Sequence, residues 1–158
     1  MNLNIRRIVT GHDENGKSVV TIDEIASNVI SRREKHASCV MWSTGEFPSD
    51  NLAGEDGSRR TVATCDPNGS VFRIVKYDPG VAPRVHRTES IDYAVVISGE
   101  IDMELDEGVI HLKQGDVLVQ RGTMHNWVNR GTEACVIAFV LLASKPLVIA
   151  SGMLKPTG

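Results

Sequence analysis

The stretch GVAPRVHRTESID, residues 80–92, running on to Gly99, and the stretch GDVLVQRGTMHNWVN, residues 115–129, decide how this chain is read. The first sets His86, Thr88, Ser90 and Asp92 at alternate positions, and the second sets His125 and Trp127 two apart. In an extended segment, alternate side chains share a face. His86, Thr88, Ser90 and Asp92 then make one polar face, whereas the interior of a packed barrel is expected to be apolar. Polar groups pointing inward need partners: a metal, water or a ligand. Two imidazoles and a carboxylate, His86, His125 and Asp92, are the minimum set for a divalent metal held on one side with open positions opposite. Trp127 supplies a flat apolar wall with an N–H free for a ligand.

Outward from these segments the chain is strand after strand. VFRIVKY (71–77), IDYAVVI (91–97), EIDMELD (100–106), VIHLK (109–113), DVLVQ (116–120), HNWVN (125–129) and EACVIAFVLL (133–142) are separated by Gly, Pro, Asp and Asn turn signals. Many short strands at regular spacing predict an antiparallel sandwich or barrel. Gly80, Gly99, Gly115 and Gly122 read as turn formers. Ile101, Met103 and Leu105 share one face, with Asp102, Glu104 and Asp106 on the other. Tyr93–Ile97 and Val136–Leu142 are apolar on both faces and need a second cover. A homodimer sheet interface, or the N-terminal segment folded over, would supply it. Residues 1–68 are irregular, with strand-like pieces at 18–22 and 38–42 and a loop from Phe47 to Arg60. Asp23 to Arg33 reads as a short helix. The expected organisation is one structural domain: an N-terminal arm over 1–68, a barrel over 69–143 and a tail over 144–158.

Composition narrows the classes. The apolar fraction is 41%, the charged fraction 23% and the net charge −3, ordinary values for a soluble globular protein. Basic residues are scattered among acids, which argues against a nucleic-acid surface. No apolar stretch approaches a membrane span, and the N-terminus lacks a signal core. The three cysteines form no CxxC pair. Cys39 and Cys135 lie in apolar runs and read as small buried hydrophobes. A cytoplasmic setting is the default expectation.

The two segments can be written G-x5-H-x-T-x3-D-x6-G and G-x6-G-x2-H-x3-N. They resemble the two motifs of the cupin superfamily, G-x5-H-x-H-x3,4-E-x6-G and G-x5-P-x-G-x2-H-x3-N. Gly80, His86, Gly99, Gly115, Gly122, His125 and Asn129 carry the likeness. Thr88 stands at the second histidine of the family, Asp92 at its glutamate and Gln120 at its proline. The closer likeness is to small single-domain cupins with HRTxSIDY and VQRGTxHxWxN strings, here residues 86–93 and 119–129. The resemblance implies an all-β fold, a jelly-roll or double-stranded β-helix barrel. It also implies metal ligands His86, Asp92 and His125, with one divalent metal (Fe, Mn, Ni or Zn). Thr88 in place of histidine leaves one more position for water or substrate.

These residues define the candidate site: His86, Asp92 and His125 as catalytic groups, and Thr88, Ser90 and Trp127 as substrate contacts. A histidine–aspartate pair can also sit in a core without metal. His111 reads as structural or exposed, His12 and His36 as exposed, Arg87 and Arg121 as surface ion-pair partners, and Tyr93 as packing. Three functions follow as expectations. The first is a metal-dependent enzyme, of dioxygenase, decarboxylase, isomerase or dehydratase class, acting on a small acid, phenol or polyketide-like compound. The second is a metal-free His/Asp acid–base enzyme. The third is a non-catalytic small-molecule binding or sensing barrel. The expected partners are a small-molecule ligand and a second copy of the chain, with no nucleic acid and no membrane.

Overall fold

A computed structural model describes residues 3–158. The strands are β1 (Arg6–His12), β2 (Ser18–Ile25), β3 (Val29–Ile30), β4 (His36–Thr44), β5 (Ser70–Tyr77), β6 (Ser90–Ser98), β7 (Glu100–Leu105), β8 (Val109–Lys113), β9 (Val117–Arg121), β10 (His125–Val128), β11 (Cys135–Ala143), β12 (Leu147–Ile149) and β13 (Gly152–Leu154). A six-stranded sheet has the order β3-β4-β5-β11-β6-β9 and faces a three-stranded sheet of order β10-β7-β8. Every pairing is antiparallel. This is the all-β, antiparallel architecture that the alternating sequence predicts, in the jelly-roll form that the resemblance implies.

Alternation along the strands builds the interior. Val71, Val75 and Tyr77 of β5 meet Ile137, Phe139 and Leu141 of β11, and Ala94 and Val96 of β6. Ile101 and Met103 of β7, Leu112 of β8 and Trp127 of β10 close the same core from the other sheet. The odd positions of β11 point inward, while Val136 and Ala138 point outward. Those two pack with Leu3, Ile5, Ala26, Val29, Cys39, Met41 and Ile74 in a second cluster. The N-terminal segment is therefore the cover for that part of β11. The rest of the outer face is open: Tyr93, Val95 and Ile97 of β6 and Val117 and Val119 of β9 are exposed.

Two expectations change. Asp23–Arg33 forms no helix: Asp23–Ile25 ends β2, and Val29–Ile30 pairs with β4. The β-branched residues Ile25, Val29 and Ile30 suit strands, and pairing with neighbours outweighs a weak helical period. Within residues 1–68, β4 pairs with β5 along its length, so part of this region is integral to the large sheet. The loop 47–60 is tied down by a two-pronged ion pair. Arg7, itself buried, donates to both oxygens of Asp56 at 2.6 and 2.7 Å and to Glu24 at 2.6 Å. The only helical turn among the described residues is the 3-10 turn Gly57–Arg59, capped by Asp56. Among the described residues no helix is long and apolar enough to cross a membrane.

Candidate functional site

The barrel pairs the two sequence motifs directly. The backbones of His86 and His125 exchange hydrogen bonds, each N–H donating to the other carbonyl at 3.0 Å. This single antiparallel bridge brings the imidazole centroids to 4.2 Å. Each ring is also oriented from behind. His86 Nδ1 lies 3.0 Å from the Arg84 carbonyl, and His125 Nδ1 lies 3.0 Å from the Thr123 carbonyl. A carbonyl only accepts, so both Nδ1 atoms carry the proton and both Nε2 atoms keep a lone pair. Burial favours the neutral rings. It pushes His86 down to about 4, helped by His125, and lowers His125 as well.

Asp92 sits beside the histidines on β6, buried, opposite Gln120 of β9 in the strand register. The Gln120 amide donates to Asp92 Oδ2 at 3.1 Å and lies 3.4 Å from His125 Nε2. Ser90 Oγ is 2.5 Å from Asp92 Oδ1 and 2.9 Å from Thr88 Oγ1. Ser90 has one proton, and the carboxylate is the stronger acceptor, so the Thr88 hydroxyl in turn donates to Ser90. Burial raises the Asp92 carboxyl to about 6, against the pull of Ser90 and Arg73.

These residues open onto a cavity. Its apolar wall is Val75, Trp127, Phe139 and Leu141, and its polar floor is His86, Thr88, Asp92 and His125. Trp127 is held edge-on between His125 and Phe139, with centroids at 5.9 and 5.7 Å. Arg33, His36, Thr64, Arg73, Tyr77 and Arg84 complete the lining. Of the sequence-predicted residues, His86, Thr88, Asp92, His125 and Trp127 line the cavity. Ser90 stands behind it and reaches it through Thr88 and Asp92.

The donor chemistry suits a divalent metal in two of its three parts. His86 and His125 have the neutral tautomer, with Nδ1 held by a backbone acceptor, that metal-ligating histidines show. Asp92 is engaged on both oxygens by Ser90 and Gln120. Accordingly, among the described residues no group of three or more His, Cys, Asp or Glu side chains is drawn together as a metal cluster. His86 and His125 are the residues that would hold an ion, with Asp92 the adjacent carboxylate.

Several site residues escape sequence reasoning. Gln120 hides in an apolar run, and only its register opposite Asp92 gives it a role. Arg73 carried a signal: on β5 it falls on the inward face with Val71, Val75 and Tyr77. Arg33 comes from the β3–β4 connection and His36 opens β4, and sequence does not predict the path that brings them to the pocket. The expectation that His36 is exposed is corrected. It is half-buried, packed edge-on against Tyr77 at 5.7 Å. Arg87 and Arg121 form no ion pair among the described residues, contrary to expectation. Tyr93 is not packed in the chain but 47% exposed. His111 is exposed and bonded to Asp102 at 2.8 Å, as a structural residue would be.

Comparison with known proteins places this geometry in context. The family profile described as "Cupin domain" matches residues 73–141. The chain is 40% identical to the phomopsin biosynthesis cluster protein C' of Diaporthe leptostromiformis, over 94% of this chain and 83% of that protein. It is 38% identical to the cupin-domain-containing oxidoreductase fogC of Aspergillus ruber, over 86% of this chain and 71% of that protein. Among solved structures it resembles a Klebsiella pneumoniae protein with a double-stranded β-helix domain. That likeness has a TM-score of 0.52 at 19% identity, covering 83% and 92% of the two chains, and speaks to the fold alone.

Proposed function

The chain belongs to the cupin family, and on that footing we propose that it is an enzyme acting on a small organic molecule, with His86, Asp92 and His125 as its reacting groups and a divalent metal as its cofactor. One observation carries this reading. Both Nδ1 atoms are spent on backbone carbonyls, so both Nε2 lone pairs face the pocket, that of His125 shared with the Gln120 amide at 3.4 Å, with the rings 4.2 Å apart. When bound, the metal (Fe, Mn, Ni or Zn) supplies Lewis-acid polarisation of a substrate oxygen. The oxidoreductase name of the Aspergillus ruber relative favours the oxidative member of the expected classes over a decarboxylase, isomerase or dehydratase.

The chain's own residues do the rest. Trp127 and Phe139 hold the flat part of a substrate and keep water away. Thr88 and Ser90 fix the Asp92 carboxyl through a hydroxyl chain. Asp92, raised to about 6, exchanges a proton near neutral pH at its Oδ atoms. Element analysis of untagged protein, purified without chelator, tests the reading. We expect stoichiometric metal, lost in His86→Ala and in His125→Ala. Wild-type protein that carries none, and takes up none of the four metals on dialysis, overturns it.

A second reading has its own observation. The Gln120 amide already links Asp92 to His125, so the three residues form a connected network without an ion. In that case Asp92 and the histidines act as a metal-free acid–base pair. Turnover that persists in metal-free protein and is lost in Asp92→Asn selects this alternative.

A further inference from the structure

One side of the pocket is built from cations that form no ion pair with an Asp or Glu side chain among the described residues. Arg73 projects inward from β5, Arg84 comes from the segment leading into His86, and Arg33 comes from the connection between β3 and β4. None of the three is paired with an Asp or Glu side chain among the described residues. The contacts of Arg73 and Arg33 go to neutral groups. Arg73 donates to the Ala63 carbonyl at 2.7 Å. Arg84 donates to the Thr64 hydroxyl at 3.2 Å and to the backbone oxygen of Gly158, the last residue of the sequence, at 2.9 Å. Arg33 lies over the Tyr77 ring at 5.9 Å. The Nε atoms of Arg33 and Arg73 are buried without any partner.

The contrast with Arg7 is informative. That buried arginine is compensated in charge by Asp56 and Glu24, although its Nε is likewise without a partner. The pocket wall has one carboxylate, Asp92, and it is committed to Ser90 and Gln120. Burial lowers all three pocket arginines, Arg73 to about 10, and Arg33 and Arg84 both press down on His86 and His125. A guanidinium stays charged in a protein, and its planar fork matches an oxyanion. Half-buried cations facing one cavity, with donors unused, call for an anion from outside.

We propose that Arg33, Arg73 and Arg84 bind the carboxylate of the substrate, so that the pocket takes a small planar organic acid. Its anionic end rests on the arginines, and its ring or double bond lies on Trp127 and Phe139 beside His86 and His125. This rests on the pocket being the reaction site, and it narrows the small acid, phenol or polyketide-like compound of the broader reading to an acid.

The test is calorimetric titration of chelator-treated protein with benzoate, benzamide and inorganic phosphate. Benzoate binds wild-type protein. Arg33→Gln and Arg84→Gln each weaken it about tenfold or more, as expected for a hydrogen bond to a charged group. Benzamide binds weakly and equally to all three proteins. Arg33→Gln is also at least as heat-stable as wild type, because a like charge has gone; a purely structural arginine would leave it less stable. Benzamide bound as tightly as benzoate overturns the proposal, as does benzoate affinity unchanged in both variants. Phosphate bound more tightly than benzoate overturns the carboxylate assignment. The protein is metal-free throughout, so failure here is separate from failure of the metal-content measurement.

Discussion

Gln120 puts two amide hydrogens within reach of Asp92 and His125, and no other side chain joins the two halves of the site. Removing the amide in Gln120→Leu leaves Asp92 one donor short in a buried position. The expected cost is about 1–3 kcal/mol in urea unfolding. A midpoint equal to wild type would show that the contact carries no stability. His36 makes the pH dependence testable. Burial, reinforced by the pocket arginines, lowers it from 6.5 to about 4. The unfolded chain therefore takes the proton first as pH falls. The stability contribution is whole above pH 6.5 and is lost as pH falls towards 4. His86 acts in the same direction. Asp92, raised from 3.8 to about 6, acts oppositely: its contribution is lost as pH rises through that range. With three lowered histidines, His36, His86 and His125, against the raised Asp92 and the exposed His111, the thermal midpoint falls on acidification from pH 6.5 to 4. His36→Gln flattens that slope, and an unchanged slope would rule His36 out. Gly99 cannot take a side chain without strain. It has φ +74°, and an added Cβ would meet the Ala134 carbonyl at 2.4 Å.

At the scale of elements, β6 does two tasks with one alternation. Its inward residues Ser90, Asp92, Ala94 and Val96 run from the polar site into the apolar core. Its outward residues Tyr93, Val95 and Ile97 are exposed. The face assignment of His86, Thr88, Ser90 and Asp92 was legible because alternation is local. The loop 47–60 was legible as a loop, but its anchor was not, since Arg7 and Asp56 are far apart in sequence. Breaking that anchor by Asp56→Asn leaves Arg7 buried with only Glu24. About 3 kcal/mol of stability should be lost. Denaturant unfolding reads it, and a loss indistinguishable from zero would mean that the pair is not needed.

For the whole molecule, the open question is the outer sheet face. Val119 and Tyr93, and Val117 and Val95, are cross-strand neighbours on it. Contiguous exposed apolar surface of this kind marks interaction sites. We propose that a second copy of the chain covers it, since a flat sheet face can meet itself about a two-fold axis. Light scattering at micromolar concentration should give a dimer. Val119→Lys, placed at the centre of the face, should give a monomer that keeps its circular dichroism. A clean wild-type monomer would overturn this assignment.

The sequence by itself determined the all-β class, the two motifs and the inward set His86, Thr88, Asp92, His125 and Trp127. Each of these rests on period-two alternation and on glycine positions, which act over a few residues. Tertiary structure alone decided that the N-terminal segment covers half of β11. It also decided that Gln120 stands between Asp92 and His125, and that three arginines without an Asp or Glu ion-pair partner among the described residues, from β5, from the connection between β3 and β4 and from the approach to His86, converge on one wall. Those facts depend on strand register and on loop paths between distant residues, where local propensity carries no information. The strand class and the inward face could be read from the chain; what the pocket asks of its ligand required the fold.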